Sequence, residues 1–207
     1  MKFYDYYADV PEDTLREFVN GQQLGRLITV SSDGQPHIGL YPFVFRGDAV
    51  EMHLHRTDEQ LVDLRTHARC AFEVDEVHAT VPSHWSHATN AMFATAYHRV
   101  VIFECTASIS EDAGVLAAQQ QRLMAHYQPE GGHHPVSADR AMYRGPFNEI
   151  AALTLTVHAR KVKWKLAQNR DRKTREKVIA ALRQRARPGD AGAADALQWA
   201  LDREPPK

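Results

Sequence analysis

The stretch from Leu24 to His55, LGRLITVSSDGQPHIGLYPFVFRGDAVEMHLH, constrains the fold more than any other part of the chain. Three runs rich in β-branched and aromatic residues are separated only by SSDGQ and RGDA. Asp33-Gly34 is a strong hairpin signal, because two-residue turns need positive φ, which glycine adopts at no steric cost. Parallel strands need a crossover of a dozen or more residues, so runs joined this tightly pair antiparallel. Pro42 cannot donate to a sheet ladder and marks a bulge or an edge in the middle run.

The same texture returns in ARCAFEVDEV, ATAYHRVVIFECTASI and NEIAALTLTVHARKVKWKL. Helices are predicted between these runs. From Asp9 to Asn20, Asp9 can cap, Pro11 sits early, and Leu15, Phe18 and Val19 share a face. TDEQLVDLRTHA takes up the helical period with Leu61 and Leu64, capped by Thr57 or Asp58. SEDAGVLAAQQQRLMAHY reads as a helix capped by Ser110, with Val115, Leu116, Leu123 and Met124 on one stripe. TREKVIAALRQRA is amphipathic, RPGDAG breaks it, ADALQWALDR is a last short helix, and the terminal PPK is expected to fray. ATVPSHWSHATNAM and QPEGGHHPVSAD read as loops. The expected class is mainly β with helices (α+β): an antiparallel barrel of six or so strands decorated by helices.

At 207 residues, 43% hydrophobic and 25% charged, the chain suits one soluble domain with appendages. Cys70 and Cys105 lie in apolar stretches and read as buried free thiols, which suits a reducing compartment. No secretory signal opens the chain and no apolar run reaches membrane length, so a cytoplasmic protein with no membrane contact is expected. The net charge of −1 hides an asymmetry: Arg160 to Arg187 holds twelve Lys or Arg against Asp171 and Glu176. Such a segment favours a phosphate-bearing partner or forms a solvated helix face.

His53 and His55 alternate onto one strand face, as a metal pair would need, but no third ligand follows at a diagnostic spacing, so no metal is assigned. G-x-S-x-G, H-E-x-x-H, P-loop and G-x-G-x-x-G patterns are absent, which leaves hydrolytic and ATP-driven chemistry without support. HLHRTDEQL is more informative. A strand ends in Arg56-Thr57 and passes into a helix start, where exposed N–H groups, a guanidinium, a hydroxyl and the amide of Gln60 suit a phosphate. The competing reading is that Thr57 caps the helix and Arg56 points to water. KVKWKLAQNR, residues 161–170, alternates lysines with Val162, Trp164 and Leu166, then ends in Gln168-Asn169-Arg170, which periodicity does not explain.

Taken in order from Phe3 to Leu182, these stretches resemble the PaiB-like branch of the FMN-binding split-barrel proteins. That branch is labelled FMN-binding negative transcriptional regulators and belongs to the pyridoxamine 5′-phosphate oxidase-like superfamily. The resemblance rests on LGRLITV, on YPF at Tyr41 to Phe43, on HLHRTDEQL in place of H-L-x-R-x-N-P-Q-W, and on VHATVPSHW. Most specific is KWKLAQNR beside the family's K-W-K-L-S-Q-N-R. The resemblance implies a split-barrel domain over residues 1–170 with a helical extension over 171–207, and a homodimer holding FMN at the subunit interface.

By position, Arg56, Thr57 and Gln60 would lie near the phosphate or ribityl chain, and Tyr41, Pro42, Phe43, His53, Leu54 and His55 would line the ring or chain. Trp164, Lys165, Gln168, Asn169 and Arg170 would close the site, with Trp85 on a loop reaching it. The implied roles are an oxidoreductase passing electrons from NAD(P)H to a small-molecule substrate, or a transcriptional regulator whose basic helix, with Lys173, Arg175 and Lys177, meets DNA. No residue is assigned as acid or base, although His98 or Tyr97 could donate to a substrate. Asp58-Glu59 stands where the family has Asn-Pro, Ala94 to His98 where it has P-T-W-N-Y, and Cys105 where it has glycine. These departures keep haem, or a deazaflavin, open as alternative ligands.

Overall fold

The structure is a computed structural model that describes residues 1–203; the terminal Pro-Pro-Lys lies outside the described residues. In chain order the elements are α1 (Asp5–Ala8), α2 (Glu12–Asn20), β1 (Gly25–Val30), β2 (Pro36–Tyr41), β3 (Val44–Phe45), β4 (Ala49–His55), α3 (Glu59–Thr66) and β5 (Arg69–Val81). Two short 3-10 turns follow, Ser83–Trp85 and Ala91–Phe93. Then come β6 (Thr95–Ser110), α4 (Ala113–Tyr127), α5 (Ala141–Glu149), β7 (Ile150–Lys165), α6 (Arg172–Arg185) and α7 (Asp190–Asp202).

The seven strands form one sheet in the order β2-β1-β5-β6-β7-β4-β3. β1 pairs antiparallel with β2, and β4 with β3, as the tight turns require, and the pairings of β1 with β5 and of β4 with β7 are antiparallel as well. The expected single strand HIGLYPFVF is two strands at opposite edges of the sheet. The chain leaves one edge at Tyr41 and joins the other at Val44. Pro42 has no N–H for the ladder, and the N–H of Phe43 donates instead to the Tyr127 hydroxyl at 2.9 Å.

The described residues fall into two compact units, and β5, β6 and β7 supply residues to both. One comprises Pro11–Val74 and Ile102–Arg160; the other comprises Met1–Val10, Asp75–Val101 and Lys161 onward. In the first unit the core is built from the inward faces of the strands, including Leu27, Phe43, Phe45, Met52, Leu54, Phe72 and Phe103. Gly25 admits the Phe72 ring, since a Cβ there would lie 2.1 Å from Phe72 Cζ. Gly25→Ala should therefore destabilise the protein by about 1–3 kcal/mol through forced repacking, read as a fall in the urea midpoint at unchanged slope.

Several boundaries differ from the sequence expectation. Asp112, not Ser110, caps α4, its carboxylate accepting from Val115 N at 2.9 Å. Val115 is exposed, and the buried stripe of α4 is Leu116, Ala117, Gln119 and Leu123. β5 runs on through Val81 because Ala79 and Val81 are buried rather than in a loop. α5 was not expected; it takes up Asn148 and Glu149 and contains Pro146. α2 starts at Glu12, with Pro11 rather than Asp9 at the cap position.

Candidate functional site

β7 carries the alternation read from the sequence to its end. Val162, Trp164 and Leu166 are buried, and Lys161, Lys163 and Lys165 face the other way. The chain then turns sharply, with Ala167 at φ 66°, a left-handed conformation that alanine rarely adopts. Gln168 holds that turn: Leu166 N donates to its Oε1 at 2.7 Å, and its Nε2 donates to Trp164 O at 2.6 Å. Arg170 N donates to Ala167 O at 2.9 Å and completes it. With Gln168 folded back, Asn169 and Arg170 are left to face outward.

These residues meet the start of β6. Thr95, Tyr97, Lys165, Asn169, Arg170 and Met92 line a cleft of about 200 Å³. The Lys165 ammonium donates to Thr95 Oγ1, and the Arg170 guanidinium stacks over Phe93 at 4.2 Å. Among the described residues no carboxylate pairs with Lys165 or Arg170. Burial, then Lys163 and Arg170, depress the Lys165 ammonium below the usual lysine range. Burial pushes the Tyr97 hydroxyl up to about 12, against the pull of Arg170 and Arg175, so it remains a neutral donor. A cleft lined by cations, an amide and hydroxyls is chemically a receptor for an anion.

Two aromatic residues of the same unit have other partners. Trp164 is buried, 5.0 Å from Trp199 between ring centres, with Arg99 over its ring at 4.4 Å. Trp85 faces the Arg185 guanidinium at 4.8 Å and lines a separate cavity with His84 and Arg187, so it is not brought to the Lys165–Arg170 cleft.

The HLHRT segment lies in the other unit, where its donors are already engaged. Arg56 Nε donates to Ile150 O at 3.0 Å, Nη2 to Phe147 O at 3.1 Å, and Nη1 lies 3.1 Å from Glu111 Oε2. Asp58 caps α3, its Oδ1 accepting from Gln60 N at 2.9 Å. The Thr57 hydroxyl lies 2.8 Å from His55 Nδ1. Gln60 is buried and donates to Leu27 O, Thr29 Oγ1 and His37 O, tying α3 to β1 and β2. The Tyr41 hydroxyl sits 2.8 Å from Gln60 Oε1 and 3.0 Å from Asp58 Oδ2. Burial and Asp58 raise that hydroxyl above the usual tyrosine range. Phe43 and Leu54 are core side chains, Pro42, His55 and Thr57 are exposed, and His53 faces a cavity with α4 and α5.

Thr95 and Tyr97 join Lys165 in this cleft, a grouping that no sequence motif announced. The signal for Thr95 is the threonine kept in the segment Ala94 to His98, and the sequence names Tyr97 only as a donor to a substrate.

Comparison with solved structures shows the fold. The flavocytochrome Anf3 of Azotobacter vinelandii aligns at a TM-score of 0.63 and 16% identity, over 79% of this chain and 72% of that one. The FAD and haem binding protein of Mycobacterium smegmatis aligns at 0.59 and 19% identity, over 82% and 78%. The conserved hypothetical protein Rv2991 of Mycobacterium tuberculosis aligns at 0.59 and 18% identity, over 83% and 94%. The architecture is thus the antiparallel split barrel, with helices, that the sequence led us to expect. No curated protein matches the sequence. A family profile described as "Putative FMN-binding domain" matches residues 1–159, and the chain belongs to that family.

Proposed function

We propose that the chain binds FMN and anchors its phosphate in the cleft formed by Thr95, Lys165, Asn169 and Arg170. The observation that carries this reading is the pair of cations facing one small cleft without a carboxylate to neutralise them. The donor set fits a phosphate: Arg170 supplies a planar fork, Lys165 a point charge, and Asn169 and Thr95 neutral donors. Gln168 acts through the turn rather than on the ligand. Bound FMN would supply hydride and electron transfer, while the protein contributes position and charge.

The finer reading is a PaiB-like flavoprotein, supported by KWKLAQNR. It would be a homodimer with FMN at the subunit interface that passes electrons from NAD(P)H to a small acceptor. A role on DNA through α6 has less support, because Arg175 is buried and Arg172 pairs with Glu176, leaving Lys173 and Lys177 exposed. Purified protein mixed with excess FMN and passed over a desalting column should keep the yellow flavin absorption. Retention of added haemin instead, seen as a Soret band, would transfer the site to haem. Colourless protein from both mixtures would refute the flavin reading.

Arg56, in the HLHRT segment, provides a contrast. Arg56→Ala leaves two backbone carbonyls without their donor and Glu111 with Arg65 alone, and should cost about 1–3 kcal/mol of stability in a denaturant titration. The affinity of the folded variant for FMN should match that of the parent protein.

A further inference from the structure

We propose that the cavity walled by β4, α4 and α5 is a binding site for an uncharged aromatic molecule of one or two fused rings bearing a carbonyl or hydroxyl. It shares no residue with the Lys165–Arg170 cleft and stands independently of the flavin reading. Its volume is about 420 Å³, within the range of small-molecule pockets. Alternation along β4 sends Met52 and Leu54 into the core and His53 to this side. Gln120 and Met124 stand one turn apart on α4, and Tyr143 and Phe147 one turn apart on α5. The two rings of α5 lie 5.9 Å apart at 18°, and Val136 closes the wall from the preceding loop.

Two features distinguish this cavity from a packing defect. His53 Nδ1 and Gln120 Nε2 are buried and have no hydrogen-bond partner among the described residues. A buried polar atom without a partner is costly, and an apolar residue at either position would avoid that cost. The Tyr143 hydroxyl, in contrast, already donates to His134 O at 2.7 Å, so its ring serves as a surface. Among the described residues no Lys, Arg, Asp or Glu lines the cavity, so an ionised ligand would lose its hydration without gaining a fixed counter-charge. Burial lowers the basicity of His53, which keeps the imidazole neutral near pH 7. The site therefore offers flat apolar walls, one amide donor, the neutral imidazole of His53 and, at its edge, the ring of His133, whose Nδ1 lies 3.0 Å from His134 O. A neutral ring with an oxygen at its edge satisfies all of these.

The test uses the full chain with 2-naphthol and 1-naphthamide as neutral probes and 2-naphthalenesulfonate as their anionic counterpart, measured by equilibrium dialysis. One neutral probe is expected to bind per chain, at least about tenfold more tightly than the sulfonate. Val136→Trp, which fills the cavity, should abolish binding, and the pair His53→Phe with Gln120→Leu should weaken it at least about tenfold. In the unsubstituted protein, nuclear Overhauser contacts from the probe to the Met124 methyl should locate it without any variant. Lack of saturable binding by both neutral probes overturns the proposal. So does equal affinity for the sulfonate, or probe contacts that avoid Met124. Competitive displacement of the probe by FMN would make the cavity the pocket of the flavin ring and overturn the separate site.

Discussion

Lys165→Ala and Arg170→Ala should each weaken FMN binding by about tenfold to a hundredfold, while riboflavin binds parent and variants alike. The size follows from charge-assisted hydrogen bonds, worth about 1.5–3 kcal/mol each, with 1.4 kcal/mol for every factor of ten. The direction follows from the cleft itself. Lys165 is held below its ordinary basicity by burial and by neighbouring cations, so an incoming dianion supplies the missing counter-charge. The two losses should not add, because both groups act on one phosphate. Isothermal titration of FMN and riboflavin against the three proteins checks the prediction. An equal loss for both flavins would move the effect from the phosphate to the ring.

Trp164→Ala should cost about 3–5 kcal/mol, the range for removing a large buried aromatic. Trp164 is 1% exposed and packs on Trp199 and Arg99. Its carbonyl also receives the Gln168 amide that shapes the following turn. The loss should appear as a large fall in the urea midpoint. Trp164→Phe keeps part of the packing and the backbone acceptor, so it should retain FMN binding at reduced stability. If Trp164→Ala melted with the parent protein, the indole would not be the anchor of the β7 end.

The elements legible in the sequence were those with period and punctuation together. Asp33-Gly34 and the RGDA turn fixed the antiparallel hairpins, and both turn glycines, Gly34 and Gly47, have positive φ. The lysine face of β7 followed from alternation alone. What periodicity could not carry was long-range geometry. Pro42 announced an interruption, but not that the two halves of the strand would occupy opposite edges of the sheet. α5 was not assigned from the sequence: Gly145 and Pro146 have low helix propensity, and tertiary burial of Phe147 outweighs that local signal.

The site divides in the same way. KWKLAQNR could be identified as unusual because its tail breaks the alternation, and the structure adds that Gln168 turns inward while Asn169 and Arg170 face the cleft. HLHRT looked like a phosphate grip because a guanidinium and a helix start lie side by side in sequence. In the folded chain the carbonyls of Phe147 and Ile150, about ninety residues away, take that guanidinium. No local pattern announces partners at that separation. The His53 cavity was equally hidden, since its walls come from four separate segments.

The most direct measurement is a parallel titration of the unsubstituted protein with FMN and with riboflavin, followed by quenching of flavin fluorescence. Anchoring of the phosphate in the Lys165–Arg170 cleft predicts saturable binding of FMN and at least about tenfold weaker binding of riboflavin, as expected for loss of one charge-assisted contact or more. Equal affinity for the two flavins, or no binding of FMN, would contradict it.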